Sequence, residues 1–415
     1  MLVAVALPLA ASAADLASWQ HGGVLRVGTT GDYAPFSTAQ GESLAGLDVD
    51  LMTRLAHDLG ATVQLVRFRW PDLSDDLAQG KFDVVASGVT VRPERALIGR
   101  YSRPYANTGA VALIRSEDAA RLTDRAAIDR TGVRIAVNRG GHLEQVAHRL
   151  FPRATIEPVS DNTELPGRVL VGRADVALSD SAEARAWQRP ELHTVGPFTR
   201  DRKALLVRKD APELAQWIDT WLRDRERDGW LGARRKQWLG DAMFAAAGAD
   251  REAVLCDIEL RCQLMPMVAA SKRASGVPIA DPAQEQRVLD RVQATARATG
   301  IDAGEVARLF SVLIRAAKMI QEASGTDPHA PAPPLDQLRS AIGDIDTHMI
   351  RQLHFAARTV KPAEWRAGVR EGVQADNLSD ALKADIAESL AHTRTLIAPG
   401  LNETPKRKRP TASGK

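Results

Sequence analysis

The sequence predicts a two-part fold, a parallel α/β domain followed by an all-helical one, from three observations. At 415 residues the chain exceeds what one hydrophobic core usually serves. From Gly23 to about Asp241, short apolar runs alternate with amphipathic stretches, the pattern of strands and crossover helices in a parallel sheet. From about Ala245 onward the strand-like runs stop and long patterns of helical period replace them.

The elements follow in order. Val24–Thr30 reads as a buried strand, Leu47–Gly60 as a helix stopped by Gly60, and the run ATVQLVRF after it as a second strand. LSDDLAQGKF is a helical stretch leading into the strand Asp83–Thr90. Val133–Gly141 is a strand running into a glycine loop and the helix HLEQVAHRLF. ATIEPVS, TELPGRVLVG and ADVALSD complete the alternation as strand, helix and strand. In the second part the helical patterns are Arg251–Arg273, Pro282–Thr299, Ala303–Ser324, Leu335–Ala357, Lys361–Gln374 and Ser379–Ile397. Gly276-Val277-Pro278, Gly300-Ile301-Asp302 and the proline-rich His329–Pro334 separate them. The AAAGA stretch at Ala245–Ala249 reads as a linker or a helix start, and no internal repeat is visible.

Composition narrows the function classes. Hydrophobic residues are 44% and charged residues 26%, an ordinary globular balance. The net charge is +3, but five basic residues and no acid lie from Pro405 onward, and removing these five turns +3 into −2. The pI near 8.9 therefore owes much to one tail, 399–415, which reads as a basic disordered end. Nucleic-acid binding by the folded body is not expected. Residues 1–14, MLVAVALPLAASAA, are apolar, too short to span a bilayer, and close on the small-x-small pattern Ala11-Ser12-Ala13. They read as an export leader whose positively charged region is missing, which predicts a periplasmic protein with no stable membrane anchor. Cys256 and Cys262 lie six apart on one helical pattern, so they point apart and are not expected to pair. The nine histidines are scattered, and neither a metal nor an organic cofactor is signalled.

In the α/β part, three strands end in Gly or Ser/Thr loops that offer backbone N–H groups to anions: Thr29–Tyr33, Ser87–Thr90 and Asn138–His142. Arg95, one turn after Pro93, can take a carboxylate bidentately. No spacing matches a GxGxxG or P-loop fingerprint. GDYAPFS, LAGLDVDLM, the run from Trp70 to Arg95 and YSRPYANTG resemble the amino-acid class of periplasmic solute-binding proteins. That resemblance implies a two-lobed domain over 23–241, with one lobe at about 23–108 plus 199–241, the other at about 109–198, and the ligand in the cleft between them.

TTGDYAPFS, WPDL, the Asn138–Gly141 loop, Asp161-Asn162 and Ser179–Arg185 are similar to the enzymatic branch of that family, the cyclohexadienyl (prephenate/arogenate) dehydratases. The resemblance implies that Glu183 is the general acid, with Tyr33 and Trp70 lining the cleft. Ser87, Thr90, Arg95, Asn138, Gly141, His142 and Lys203 would bind substrate, and Asp180 sits where receptors bind the ligand amine. The chemistry suits a carboxylic acid: hydroxide is a poor leaving group, and a raised pKa in an apolar closed cleft would keep Glu183 protonated. His142 stands where the branch carries Thr.

In the helical part, Arg261 and Lys272 are eleven residues apart, within about 20° of three full turns, so one continuous helix would put both cations on one face. Taken alone, such a stripe reads as a solvated surface. The run from Ile258 to Asp290, then Ile301–Gln321, then Leu335–Asp346, resembles the all-helical AroQ-type chorismate mutases, in the secreted gamma subclass, over about 248–398. By that resemblance Arg261 and Arg339 would clamp the two carboxylates of chorismate, Lys272 and Gln321 would donate to its ether oxygen, and Asp281 or Glu285 would hold the ring hydroxyl. Gln284 and Ala317 stand where the family keeps an Arg and a Ser/Thr. The family often dimerises, which makes a homodimer an expectation.

The fold expected is thus a two-lobed α/β periplasmic-binding-protein-like domain followed by an all-α chorismate mutase domain. The function expected is bifunctional: chorismate to prephenate, then prephenate to phenylpyruvate, with arogenate to phenylalanine as a parallel reaction. The alternative is a periplasmic amino-acid-binding protein of a transporter or sensor, carrying a helical domain of weak or lost mutase activity.

Overall fold

The computed structural model describes residues 15–240, 248–325, 332–375 and 377–395. The leader at 1–14, most of the linker, the first residues of the proline-rich break and the basic tail lie outside the described residues. The chain divides into two compact units, Met1–Ala249 and Asp250–Lys415.

The first unit is built on two five-stranded sheets. One has the order Thr62–Arg67, Val24–Thr29, Val84–Val85, Leu206–Arg208, Gly99–Tyr101. The other has the order Thr155–Val159, Arg134–Asn138, Val176–Asp180, Ala110–Arg115, Leu192–Val195. Both sheets are mixed, where the alternation of patterns predicts parallel ones. Each keeps a parallel core, Val24–Thr29 with its two neighbours and Arg134–Asn138 with its two. Each then receives antiparallel strands where the chain crosses between the lobes. The crossing points pair with each other, Asp201–Lys203 against Ala106–Thr108, so the hinge is itself a two-stranded ribbon.

Local chemistry sets the ends of the elements. The helix Leu47–Leu59 stops at Gly60, whose φ of 83° suits a residue without a Cβ. Its buried residues, Leu47, Leu51, Met52, Leu55 and Leu59, recur at helical spacing and pack on the first sheet with Leu25, Val27 and Val84. The second lobe has cores on both sheet faces, one around Ile135, Val137, Phe151 and Leu178, the other around Val111, Ala136, Leu165 and Val169. The lobes are closed on each other. A Cβ on Gly140 would lie 2.7 Å from the Pro71 ring across the cleft, and φ at Gly140 is 73°.

The second unit is helical throughout its described residues, with one departure from expectation. The pattern Arg251–Arg273 forms two helices, Ala249–Gln263 and Met265–Ala274, broken at Leu264. Pro266 has no N–H to give and its ring crowds the carbonyl four residues back, so the hydrogen-bond ladder is interrupted there, while Leu264 itself keeps helical dihedrals. Pro282–Thr299 begins at Asp281, whose carboxylate accepts from Gln284 N at 3.0 Å, and ends at Gly300 with φ 73°. Ala303–Ala323 is capped in the same way by Asp302. Its buried stripe, Val306, Leu309, Phe310, Leu313, Ala317 and Ile320, faces Met265–Ala274, Pro282–Thr299 and the late helix Asp380–His392. Leu335–Thr359 closes the bundle over Met265–Ala274 and Pro282–Thr299. Cys256 and Cys262 are both buried and unbridged. Among the described residues, no helix is long and apolar enough to cross a membrane.

Candidate active sites

The cleft of the first unit encloses about 410 Å³. Its wall brings together Tyr33, Trp70, Thr90, Arg95, Asn138, Gly141, His142, Glu183 and Lys203 from both lobes. Ser87 and Asp180 are not on that wall. The Ser87 hydroxyl is fully buried, accepts from Thr30 N at 3.1 Å and bonds the Thr30 hydroxyl at 2.8 Å, so it braces two strand ends behind the cleft. Asp180 caps the helix Ser181–Ala186 through Ala182 N at 2.8 Å and pairs with Lys203 Nζ at 3.0 Å.

Glu183 occupies the first turn of that short helix and is 1% exposed. Ser179 Oγ donates to its Oε2 at 2.6 Å, and the Asn162 amide donates to its Oε1. Burial, first, and the nearby carboxylates of Asp180 and Asp32 push its pKa well above the usual carboxylate value, against the pull of those two hydrogen bonds. These surroundings favour the protonated carboxyl, in a buried, hydrogen-bonded pocket.

Facing it are cations. Arg95 is 6% exposed; its NH1 donates to Thr90 O at 3.1 Å and its guanidinium lies 5.3 Å from the Trp70 ring. Among the described residues it forms no salt bridge with a carboxylate, and burial lowers its pKa to about 10. His142 Nε2 lies 3.1 Å from Asp201 Oδ1 on the hinge strand. The imidazole that replaces a capping hydroxyl thus takes a carboxylate of the chain itself. In the glycine loop, the Gly140 N–H goes to Glu144 Oε2 at 2.5 Å rather than to the cleft. Tyr33 stacks edge-on to Trp70 and rests on Phe36, which lies fully buried behind it.

Asn162 and Ser179, which hold Glu183, were not among the sequence candidates. Asn162 belongs to the Asp161-Asn162 pair, a residue pattern without a role attached; nothing in a single sequence marks Ser179 as a partner of Glu183 four residues on. Asp48 was also missed. It is buried at the start of Leu47–Leu59, where its Oδ2 accepts from Gly88 N at 2.6 Å and Tyr105 OH at 2.9 Å, and burial raises its pKa to about 6.

The second unit holds a separate cavity of about 660 Å³ among five helices. Arg261, Lys272, Asp281, Glu285, Gln321 and Arg339 all line it. Arg261 and Lys272 reach it from the two helices on either side of Leu264, whose own backbone stays helical at φ −76° and ψ −18°. Arg261 is 3% exposed and is fixed by Asp346 Oδ1 at 3.1 Å and Leu313 O at 3.1 Å, which leaves three of its five N–H groups. Lys272 Nζ donates to Ile279 O at 2.6 Å; burial, with Arg339 and Lys318 nearby, holds its pKa below the usual lysine value. Arg339 lies 3.4 Å from Asp281 Oδ2. The Gln321 amide nitrogen donates to Ala317 O at 3.1 Å and, more weakly, to Met265 Sδ at 3.6 Å.

Three further residues complete the charge pattern. Lys318 pairs with Glu285 at 3.1 Å on the cavity wall. Arg291 pairs with Asp346 at 2.7 Å, and Asp346 is fully buried beneath the wall. Lys318 was legible: it lies three residues before Gln321, on the same helix face. Five cations (Arg261, Lys272, Arg291, Lys318, Arg339) against three carboxylates (Asp281, Glu285, Asp346) leave +2. Among the described residues, no group of three or more His, Cys, Asp or Glu is placed to hold a metal ion.

Residues 25–241, just over half of the chain, match the family described as bacterial extracellular solute-binding proteins, family 3. The chain belongs to that family. Residues 252–322 match chorismate mutase type II, so the family 3 domain is followed here by a chorismate mutase domain. The family 3 domain is similar to the cyclohexadienyl dehydratase of Pseudomonas aeruginosa, 38% identical over 223 residues, which cover 52% of this chain and 83% of that protein. It is also similar to the L-cystine-binding protein TcyJ of Escherichia coli, 27% identical over 52% of this chain and 83% of that protein. Among solved structures, the ancestral amino-acid-binding protein AncCDT-1, described as a precursor of cyclohexadienyl dehydratase, superposes with a TM-score of 0.51. The two are 34% identical over 52% of this chain and 96% of that one.

Proposed function

We propose that the chain runs two consecutive steps of phenylalanine formation: chorismate to prephenate in the helical unit, then prephenate to phenylpyruvate in the α/β cleft. One observation carries the reading of the cleft. Glu183 is a buried carboxyl kept protonated by its surroundings, in a wall that also holds Arg95, Lys203 and His142. A receptor for a zwitterionic amino acid has no use for a buried neutral acid. A dehydratase needs one. The C–CO₂⁻ bond of prephenate breaks, its electron pair becomes a ring double bond, and the C–O bond of the ring hydroxyl breaks as Glu183 gives its proton to the departing oxygen. The products are CO₂, water and an aromatic ring, and Glu183 is left as a carboxylate to be reprotonated from solvent. Arg95 is the anchor for a substrate carboxylate, and the Trp70 and Tyr33 rings border the space for the six-membered ring.

The helical cavity suits the first step. The rearrangement of chorismate needs no acid, base or nucleophile; it needs the dianion folded compactly and the charge on its ether oxygen stabilised. A cavity carrying +2 complements a dianion. Arg261 and Arg339 hold the carboxylates, Lys272 and the Gln321 N–H that now rests on the Met265 sulfur donate to the ether oxygen, and Asp281 or Glu285 takes the ring hydroxyl. Residues 1–14 are removed on export in this reading, and both steps run in the periplasm.

The test is an end-point assay of the purified protein with chorismate, followed by phenylpyruvate absorbance. Wild type makes phenylpyruvate, Glu183→Gln stalls at prephenate, and Arg261→Ala leaves chorismate unused. Survival of both chorismate and added prephenate would return the protein to the binding-protein reading.

A further inference from the structure

Lys203 ends the hinge strand Asp201–Lys203, and its side chain is 2% exposed. Its ammonium has three N–H groups and three partners: Thr90 Oγ1 at 2.8 Å, Asp180 Oδ2 at 3.0 Å and Tyr33 OH at 3.1 Å. The Tyr33 and Phe36 rings have their centroids 5.4 Å and 5.7 Å from the nitrogen, within cation–π range. A carboxylate, two hydroxyl oxygens and two aromatic faces converging on one point make a binding site for a primary ammonium. Here the chain fills it with its own side chain.

We propose that Lys203 is a tethered occupant of an ammonium subsite, and that the cleft therefore selects an α-keto acid and rejects the matching α-amino acid. The inference rests on the dehydratase reading and names the substrate class within it, prephenate over arogenate. Thr90 links the two halves of the argument, for its carbonyl accepts from Arg95 and its hydroxyl from Lys203. The α-substituent lies two bonds from the carbon of a carboxylate held by Arg95. A keto oxygen there accepts hydrogen bonds and meets cations without penalty. An ammonium there meets cations and finds no carboxylate to pair with. Asp180 is fully committed, to Lys203, to Thr108 Oγ1 at 2.5 Å and to Ala182 N. Glu183, the acid on the cleft wall, is buried and already accepts from Ser179 and Asn162, and burial favours its neutral form. Unpaired like charges in a dry site discriminate strongly.

The experiment uses the full chain with prephenate and arogenate as substrates, and with phenylpyruvate and L-phenylalanine as calorimetric probes. Wild type should favour prephenate by at least ~100-fold in kcat/KM, as sites that leave a polar group unpaired do, and should bind phenylpyruvate but not L-phenylalanine. Lys203→Ala empties the cage: L-phenylalanine binding should appear, and the prephenate preference should shrink at least ~tenfold. Equal turnover of both substrates by wild type, or equal binding of both probes, overturns the inference. So does a folded Lys203→Ala protein that gains no affinity for the amino acid. If that variant does not fold, the wild-type comparison decides alone. If neither substrate turns over but phenylpyruvate still binds and L-phenylalanine does not, the dehydratase reading fails and the subsite stands; a protein that binds neither probe overturns both.

Discussion

Glu183→Gln tests the dehydratase chemistry most directly, because the surroundings of Glu183 accept an amide. Asn162 can still donate to the remaining carbonyl oxygen, and Ser179 can turn its hydroxyl to accept from the new NH₂, so the two bonds that hold the side chain survive. What is lost is the transferable proton. General acid catalysis contributes about 10²–10⁴-fold, so kcat for prephenate should fall by that factor, about 2.7–5.4 kcal/mol of barrier. The mutase rate of the same preparation, read as chorismate loss, should not change, and it serves as the internal control. Stability moves the other way. Burial raises the folded pKa of Glu183, so the stability it contributes is fully present below its unfolded value near 4.5 and is lost as pH rises through the raised folded value. The amide has no proton to lose, so the melting temperature of Glu183→Gln should exceed that of wild type increasingly as pH climbs. Wild-type kcat for prephenate should itself fall on the alkaline side as Glu183 ionises. A variant that keeps more than about a tenth of wild-type kcat at neutral pH would refute the proton-donor role, since a general acid is worth at least ~100-fold.

Three other outcomes follow from the two sites. Arg261→Ala should lower mutase kcat/KM by about 10²–10³-fold and leave prephenate turnover intact; Asp346 keeps Arg291 as a partner, so the loss should not come from unfolding, which circular dichroism checks. Wild-type mutase should vary little between pH 5 and 8 because Gln321 has no proton to titrate, whereas Gln321→Glu should lose at least ~tenfold of its rate over that span as a carboxylate replaces the donor facing the ether oxygen; a steep acid optimum in wild type would sink this role. Asp48, whose pKa burial raises from 3.8 to about 6, contributes stability that is lost as pH rises through that window. Asp48→Asn should therefore flatten the slope of melting temperature against pH between about 4 and 7, and an unchanged slope would count against the buried carboxyl as its source.

The fold was legible wherever one residue decides a local outcome. Gly60 and Gly300 stop their helices in the left-handed region, and Asp281 and Asp302 cap theirs, all from short-range chemistry that the sequence displays. The alternation of patterns also placed the parallel strands of both sheets. The antiparallel ones, such as Ala110–Arg115 against Val176–Asp180, were not read from it, because they take their places where the chain crosses between the lobes. The break at Leu264 is the instructive miss. Pro266 sat in plain view inside a helical pattern, and the face arithmetic that joined Arg261 to Lys272 assumed an unbroken helix, which is interrupted at Leu264. The two cations still line one cavity, and Leu264 keeps helical dihedrals across the break, φ −76° and ψ −18°. Charges that arrive from elsewhere in the chain were invisible. Arg291 and Asp346 are 55 residues apart and meet only through packing, as do His142 and Asp201.

The two cavities solve opposite electrostatic problems with similar residues. The mutase cavity spends its carboxylates on holding cations in place and keeps a net positive wall, with an amide rather than an acid at Gln321, so its work is done by fixed charge and needs no proton. The cleft must also attract an anion, yet it has to keep one carboxyl neutral among its cations. Burying Glu183 away from water would achieve that only if the neighbouring cations were prevented from ionising it. Lys203 is neutralised by Asp180, and His142 sits against Asp201, so each of these basic side chains in the cleft already has a carboxylate of the chain beside it. Arg95 is the exception, a buried guanidinium with no carboxylate partner among the described residues, and it is therefore the group with charge to spare for a substrate. The pairings that look like structural salt bridges are thus what allows a protonated acid and an anion anchor to coexist in one closed cleft. Removing Asp201 or Asp180 should depress the pKa of Glu183 as well as loosen the hinge.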